Sequence, residues 1–327
     1  MKAALSRRSP LSKLARIAVS FVLCLPNLTF ADFAPPVIYG DDNRFEPHYY
    51  EDFRFRILAR SVAVQIKPTS LMDTTEVDPP VITDDIVPSA GSKKSREYYL
   101  YTEDLASRGI CESERFAKQP SAGLCTGFLV GPNLLATAGH CIMNQDDCDK
   151  RVWAFDYKTS EKDENGEHIK LKDKNIYQCK RIIGRHQNRH FKDFAVIELD
   201  RPVVGRKPLK LNRSIRPIAV GEKVLVIGHP SGLPMKIADS AQVTDLSHNI
   251  FYATLDTYGG NSGSPVFNQR TGEVEGILVI GNEDYVLSPE SLFLENKCVI
   301  SNRMPGYVKQ AEGVSYISHI LPFVPEI

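Results

Sequence analysis

The sequence predicts an all-β protein, a barrel or a sandwich, and three observations carry that expectation. From Cys125 onward, short runs of Val, Ile, Leu, Phe and Tyr recur between clusters of Gly, Pro, Asn and Asp. Few stretches keep a helical period, and the 327 residues are 42% hydrophobic, ordinary for a globular protein. Forty basic and forty acidic side chains cancel to a formal net charge of zero, which leaves no electrostatic case for a nucleic-acid partner.

Taken in order, residues 1–31 have the three-part plan of a secretory signal. A basic stretch (Lys2, Arg7, Arg8, Lys13, Arg16) precedes an apolar stretch from Ile17 to about Leu25, and Thr29-Phe30-Ala31 places small residues for cleavage after Ala31. No later apolar run approaches the roughly 20 residues of a spanning helix, so an exported chain, extracellular or periplasmic and free of the membrane after signal cleavage, is expected. Residues 32–36 read as a short prosegment, and 37–124 as an N-terminal strand plus a long insertion or linker. Within that stretch Ser61–Ile66 alternates like a strand, while Lys67–Lys94, rich in Pro, Asp, Ser and Thr, has no lasting period. Residues 125–205 and 206–327 read as two β units, with Arg201–Gly221 and its three prolines as the connection. The expected strands are 126–130, 152–157, 194–199, 224–228, 250–255, 274–280 and 314–317. Ser315 to Val324 is expected to form a short helix closing the second unit, limited by Pro322.

Of seven cysteines, Cys24 leaves with the signal, and Cys111, Cys125, Cys141, Cys148, Cys179 and Cys298 remain. An even number in an exported chain points to three disulfides. No two have the C-x-x-C spacing of a structural zinc site. The acidic pairs at Asp146-Asp147 and in Asp163–Gly166 lack the loop spacing of an EF-hand. No metal and no organic cofactor is implied.

Three motifs carry chemistry: Thr137-Ala-Gly-His-Cys141, Asp193-Phe-Ala-Val196 and Gly259-Gly-Asn-Ser-Gly-Ser-Pro265. A serine hydroxyl is a poor nucleophile until an imidazole takes its proton, and that imidazole needs a carboxylate to fix its tautomer and stabilise its charged form. Ser262, His140 and Asp193 are the residue types for those roles. Glycines around Ser262 allow a sharp turn that aims the N–H groups of Gly260 and Ser262 at a developing oxyanion. Bulk at Gly260 is therefore expected to harm turnover more than folding.

With these motifs the chain resembles the chymotrypsin-like serine peptidases, and within them the bacterial glutamyl endopeptidase-like branch, of which Gly-Gly-Asn-Ser-Gly-Ser-Pro is typical. The resemblance runs from about Cys125 to Ile317, and more weakly from Val37 to Arg44. It implies two Greek-key β-barrels with a short C-terminal helix, the first supplying His140 and Asp193 and the second Ser262. It implies peptide-bond hydrolysis by a monomer acting on an extended peptide or protein. A catalytically silent peptide-binding protein and an esterase are the competing functions on the same fold.

A hairpin between Cys125 and Cys141 brings those two sulfurs together beside His140, and the resemblance implies the same bridge. Of the three connectivities left, Cys148 with Cys179 and Cys111 with Cys298 is favoured. In trypsins an aspartate at the place of Asn261 pairs with the new amino terminus, an ion pair that asparagine cannot make. In the glutamyl branch the mature terminus helps form the specificity pocket, so a cut before Val37 is expected. The pocket is expected to comprise Asp256, Thr257, Leu278, Val279, Ile280 and Gly281. Thr257 matches a pocket threonine of the glutamyl branch, but Leu278 stands where that branch has the histidine that binds a substrate carboxylate. Asp256 falls where trypsins select Arg and Lys. Apolar or small, basic and acidic preferences all stay open. His229, in Gly228-His-Pro-Ser-Gly-Leu-Pro234, reads as structural, and Arg185, His186, Arg189 and His190 read as a solvated basic loop.

Overall fold

The computed structural model describes residues 37–73, 96–100, 102–162, 168–188, 192–293, 296–304, 308–309 and 311–326. The expected signal, its cleavage site, the prosegment, Asp163–Gly166, Arg189 and His190 lie outside the described residues.

The first barrel closes from six antiparallel strands: β1 (Val62–Ile66), β2 (Cys125–Leu129), β3 (Leu134–Thr137), β4 (Val152–Phe155), β5 (Ile176–Gln187) and β6 (Asp193–Leu199). Around the barrel they run β5, β6, β3, β2, β1, β4 and back to β5. Its core is Trp153, Phe155, Leu129, Leu135, Ile197 and Leu199 with their neighbours. The second barrel is β7 (Lys223–Gly228), β8 (Lys236–Leu246), β9 (Ile250–Ala253), β10 (Pro265–Asn268), β11 (Val274–Ile280) and β12 (Glu312–Tyr316). These run β7, β10, β11, β12, β9, β8, and the β7–β8 pairing closes the ring. Closure removes the sheet edges, and the two-residue strand Arg44–Phe45 adds on, to β8.

The first barrel begins earlier than residue 125, because β1 comes from the stretch read as insertion or linker and pairs with β2 and β4. The alternation of Ser61–Ile66 marks that strand, but its partners lie far along the chain, and pairing over such a separation leaves no local signal. Leu71–Asp73, Glu97–Leu100 and Lys170–Lys172 form a separate three-stranded sheet, so part of the same stretch is ordered structure. Arg201–Gly221 is the connection between β6 and β7, and it anchors itself through buried Leu209 and Leu211.

The end of the chain forms two 3-10 turns, Ile317–His319 and Leu321–Phe323, with Pro322 inside the second. They run from β12 onto the first barrel, where the Phe323 ring covers Gly184 and lies 5.7 Å from Phe194. The expected helix therefore ties the two barrels rather than closing the second. All three disulfides form as expected: Cys125–Cys141, Cys148–Cys179 and Cys111–Cys298. The last spans 187 residues and fastens the segment after Glu97–Leu100 to the second half of the chain.

Candidate active site

His140 stands on a 3-10 turn, Gly139–Cys141, at the end of β3, and Asp193 opens β6, which pairs with β3. That register places one beside the other. Asp193 Oδ2 lies 2.8 Å from His140 Nδ1, while Oδ1 accepts the N–H groups of Gly139 at 2.5 Å and His140 at 3.2 Å. The carboxylate, 8% exposed, thus holds both the ring and the backbone of the turn. A side chain at Gly139 would strike His186 O and Asp193 itself, so the turn depends on glycine. Arg185 braces it from β5, its Nε donating to Gly139 O and Ile142 O. Arg185 is therefore a strut, not part of a solvated loop, and His186 stacks on Phe194.

Ser262 lies in the Tyr258–Ser264 loop before β10. Gly260 and Gly263 adopt φ of 92° and 90°, the left-handed region open to glycine. The N–H groups of Asn261, Gly263 and Ser264 donate to Tyr258 O, Leu278 O and Asn261 O. Those of Gly260 and Ser262 have no protein acceptor among the described residues. Ser231 N donates to Gly259 O at 2.6 Å, and since carbonyl and N–H of a trans peptide point oppositely, the Gly260 N–H turns away from Ser231. The first barrel reaches this loop through Thr126, whose N–H donates to Ser262 O at 2.8 Å and whose hydroxyl donates to Gly260 O at 2.8 Å. Gly263 packs so closely on Thr137 and Ala138 that a side chain there would overlap both. This packing sets the Ser262 loop against the end of β3 that leads into His140. Among the described residues no hydrogen bond joins Ser262 Oγ to the imidazole, a bond that is often long in the absence of substrate. A side chain at Gly260 would meet His229 O at 2.6 Å and Gly232 N at 2.7 Å. Bulk at Gly260 would therefore damage folding as well as turnover.

Beside Ser262 lies a cavity of about 200 Å³ whose lining includes Thr257, Leu278, Val279, Ile280 and Gly281. Asp256 is not in its lining. The Asp256 oxygens accept the N–H groups of Tyr39 and Asn43, both at 2.9 Å, and burial pushes the carboxyl up to about 6. It fastens the N-terminal segment instead of facing a substrate. Three polar residues that the motifs do not reveal line the cavity in its place: Asn282, Asp284 and Glu312. Glu312 is 0% exposed and accepts hydrogen bonds from Thr257 Oγ1 at 2.7 Å, Asn282 Nδ2 at 3.0 Å and Tyr39 Oη at 3.3 Å. Burial pushes it up to about 8. Asp284 accepts the Gly259 N–H at 2.8 Å and is raised, again mainly by burial. These residues follow or precede the strands that the sequence marks, but no spacing signals that they converge.

His229 is structural. It is fully buried, its Nδ1 lies 3.0 Å from Leu233 O, its ring stacks on Tyr157, and burial depresses it to about 3. Asp146 pairs with Lys150, and Asp147 accepts the Met143 N–H, so both belong to a short helix. Cys125, His140 and Cys141 bring possible ligand atoms within 4.8 Å of one another, but the two sulfurs are joined in a disulfide and offer no thiolate.

Residues 125–277 match the family model of the trypsin-like peptidase domain. The chain is 30% identical over 161 residues to "Glutamyl endopeptidase" of Bacillus licheniformis, covering 46% of this chain and 47% of that protein. It is 27% identical over 160 residues to "Extracellular metalloprotease" of Bacillus subtilis, covering 48% and 50%. The chain thus spans about half the length of the curated relatives it matches. The solved structure "Structure of Glu endopeptidase in complex with MPD" is 16% identical with a TM-score of 0.44, over 88% of this chain and 96% of that one.

Proposed function

We propose that the chain is an exported serine endopeptidase that hydrolyses peptide bonds through an acyl-enzyme, with Ser262, His140 and Asp193 as its triad. The observation that carries this reading is the pair of unused N–H groups, Gly260 and Ser262, in a loop that packs on the strand end leading into His140, whose imidazole a buried carboxylate holds. Ser262 Oγ attacks the scissile carbonyl carbon while His140 takes its proton. The oxyanion that forms is held by the two N–H groups, each typically worth about 3 to 4 kcal/mol in the transition state. His140 then protonates the leaving amine, and water, activated by the same imidazole, releases the acid. Asp193 keeps the ring's Nδ1 protonated and stabilises the imidazolium. An extended peptide would lie along the strand edge near 279–281. Export is supported by the N-terminal plan of the sequence and by the three disulfides. Processing before Val37 belongs to the same reading, since Val37 and Ile38 are fully buried and their N–H groups bond Asn302 O.

Labelling of the secreted, processed protein by a fluorophosphonate probe, with Ser262→Ala as control, tests the proposal. Stoichiometric labelling that the variant loses is expected. A folded, correctly processed chain that takes no label would overturn it.

A further inference from the structure

The cavity beside Ser262 has an unusual charge balance. Glu312 is a fully buried carboxylate whose partners are three neutral donors, and Asp284 puts a second carboxylate in the same wall. Among the described residues no salt bridge joins a basic side chain to either, and Arg44, itself paired with Asp42, acts on Asp284 only through space. The cation that acts on this wall, Arg44, is buried and held by Asp42 at 2.6 Å. A carboxylate withdrawn from water needs a counter-ion or a proton. Leu278 and Val279 supply an apolar wall along which a methylene stem can lie, the arrangement in which lysine and arginine side chains are accommodated.

We propose that Glu312 is the specificity-determining residue of this cavity, and that the cavity takes a side chain ending in a cation, ammonium or guanidinium. Resting on the peptidase reading, this makes the preferred substrate one with a basic residue before the scissile bond. A carboxylate side chain would face two like charges and, at Leu278, no donor. A neutral apolar side chain fits the wall but leaves Glu312 to keep its proton. Entry of the cation favours the ionised carboxylate, so one proton passes from Glu312 to solvent as the ligand binds. Binding of a cation therefore weakens as pH falls below about 8, the value to which burial raises Glu312. The other ionisable groups around it are Tyr39 of the N-terminal segment, Asp256 before Thr257, and Asp284; a Glu312→Gln variant keeps all three.

The test uses the processed Ser262→Ala protein, so that binding is read without turnover, with benzamidine as the cationic probe and benzamide as its neutral counterpart. Calorimetry at pH 8.5 is expected to show benzamidine binding about tenfold or more tighter than benzamide. Glu312→Gln should erase the difference, and its thermal melt checks that it folds. In the unsubstituted cavity, benzamidine affinity should fall between pH 8.5 and 6.5, with buffer-dependent heats reporting proton release. Equal affinity for the two probes, an unchanged preference in a folded Glu312→Gln protein, or binding indifferent to pH would overturn the proposal. Failure of fluorophosphonate labelling would sink the peptidase reading alone. Labelling with no preference for the cationic probe would sink this inference alone.

Discussion

Asp193 in the first barrel and Glu312 in the second are both buried carboxylates, yet their surroundings differ. Asp193 has an imidazole at 2.8 Å and two backbone N–H groups, so every charge that develops there has a partner within the chain. Glu312 has a hydroxyl, an amide and a phenol, all neutral. Asp256 is a third case, a buried carboxylate used only to hold backbone. A buried acid alone therefore says little about function. Its role follows from whether its partners are cationic, neutral or main-chain.

The largest effect expected from breaking this comparison is at Asp193. Asp193→Asn retains the shape but not the charge, and kcat should fall about 10⁴-fold for every substrate with little change in KM. Steady-state kinetics on peptides differing only in the residue before the scissile bond would check it. A loss confined to one class of substrate would show that Asp193 acts in the specificity pocket instead.

Asp256→Ala should leave the substrate preference unchanged. Two partly buried N–H groups would lose their acceptor, and denaturant unfolding should show a loss of about 1 to 3 kcal/mol. A switch in preference would return Asp256 to the pocket and weaken the case for Glu312.

The smallest effect is on the pH dependence of stability. Glu312 has a folded value of about 8, above the ordinary glutamate value, so the folded state holds the extra proton between the two. Its contribution is complete at low pH and is lost as pH rises through about 8. Glu312→Gln should flatten that part of the curve, read as the difference in melting temperature between variant and parent at pH 6 and pH 9. Using the difference removes Lys236, which burial lowers to about 8 and which acts with the opposite sign. A parallel pair of curves would mean that Glu312 is ionised throughout.

Legibility followed sequence distance. The hairpin from Cys125 to Cys141, the strand after Asp193 and the glycines around Ser262 are local patterns, each set by side-chain alternation or by a turn that only glycine allows. The two longest strands were not among those expected. Ile176–Gln187 and Lys236–Leu246 carry exposed charged and polar residues, and register shifts interrupt their alternation. The pocket was half legible. Thr257, counted back from Ser262, and the end of β11, aligned through Gly276-Ile277, follow from the family resemblance, whereas Glu312 enters from a strand whose only visible signal is its apolar run.

By itself the sequence determined the β class, the cysteine set, and the identity and order of the residues proposed as the triad, because short motifs encode turns and chemistry that act over a few residues. Tertiary structure alone decided which strand completed the first barrel, which carboxylate faced the cavity and which held backbone. Those outcomes depend on strand register and on burial, and both arise from pairings between segments far apart in the chain.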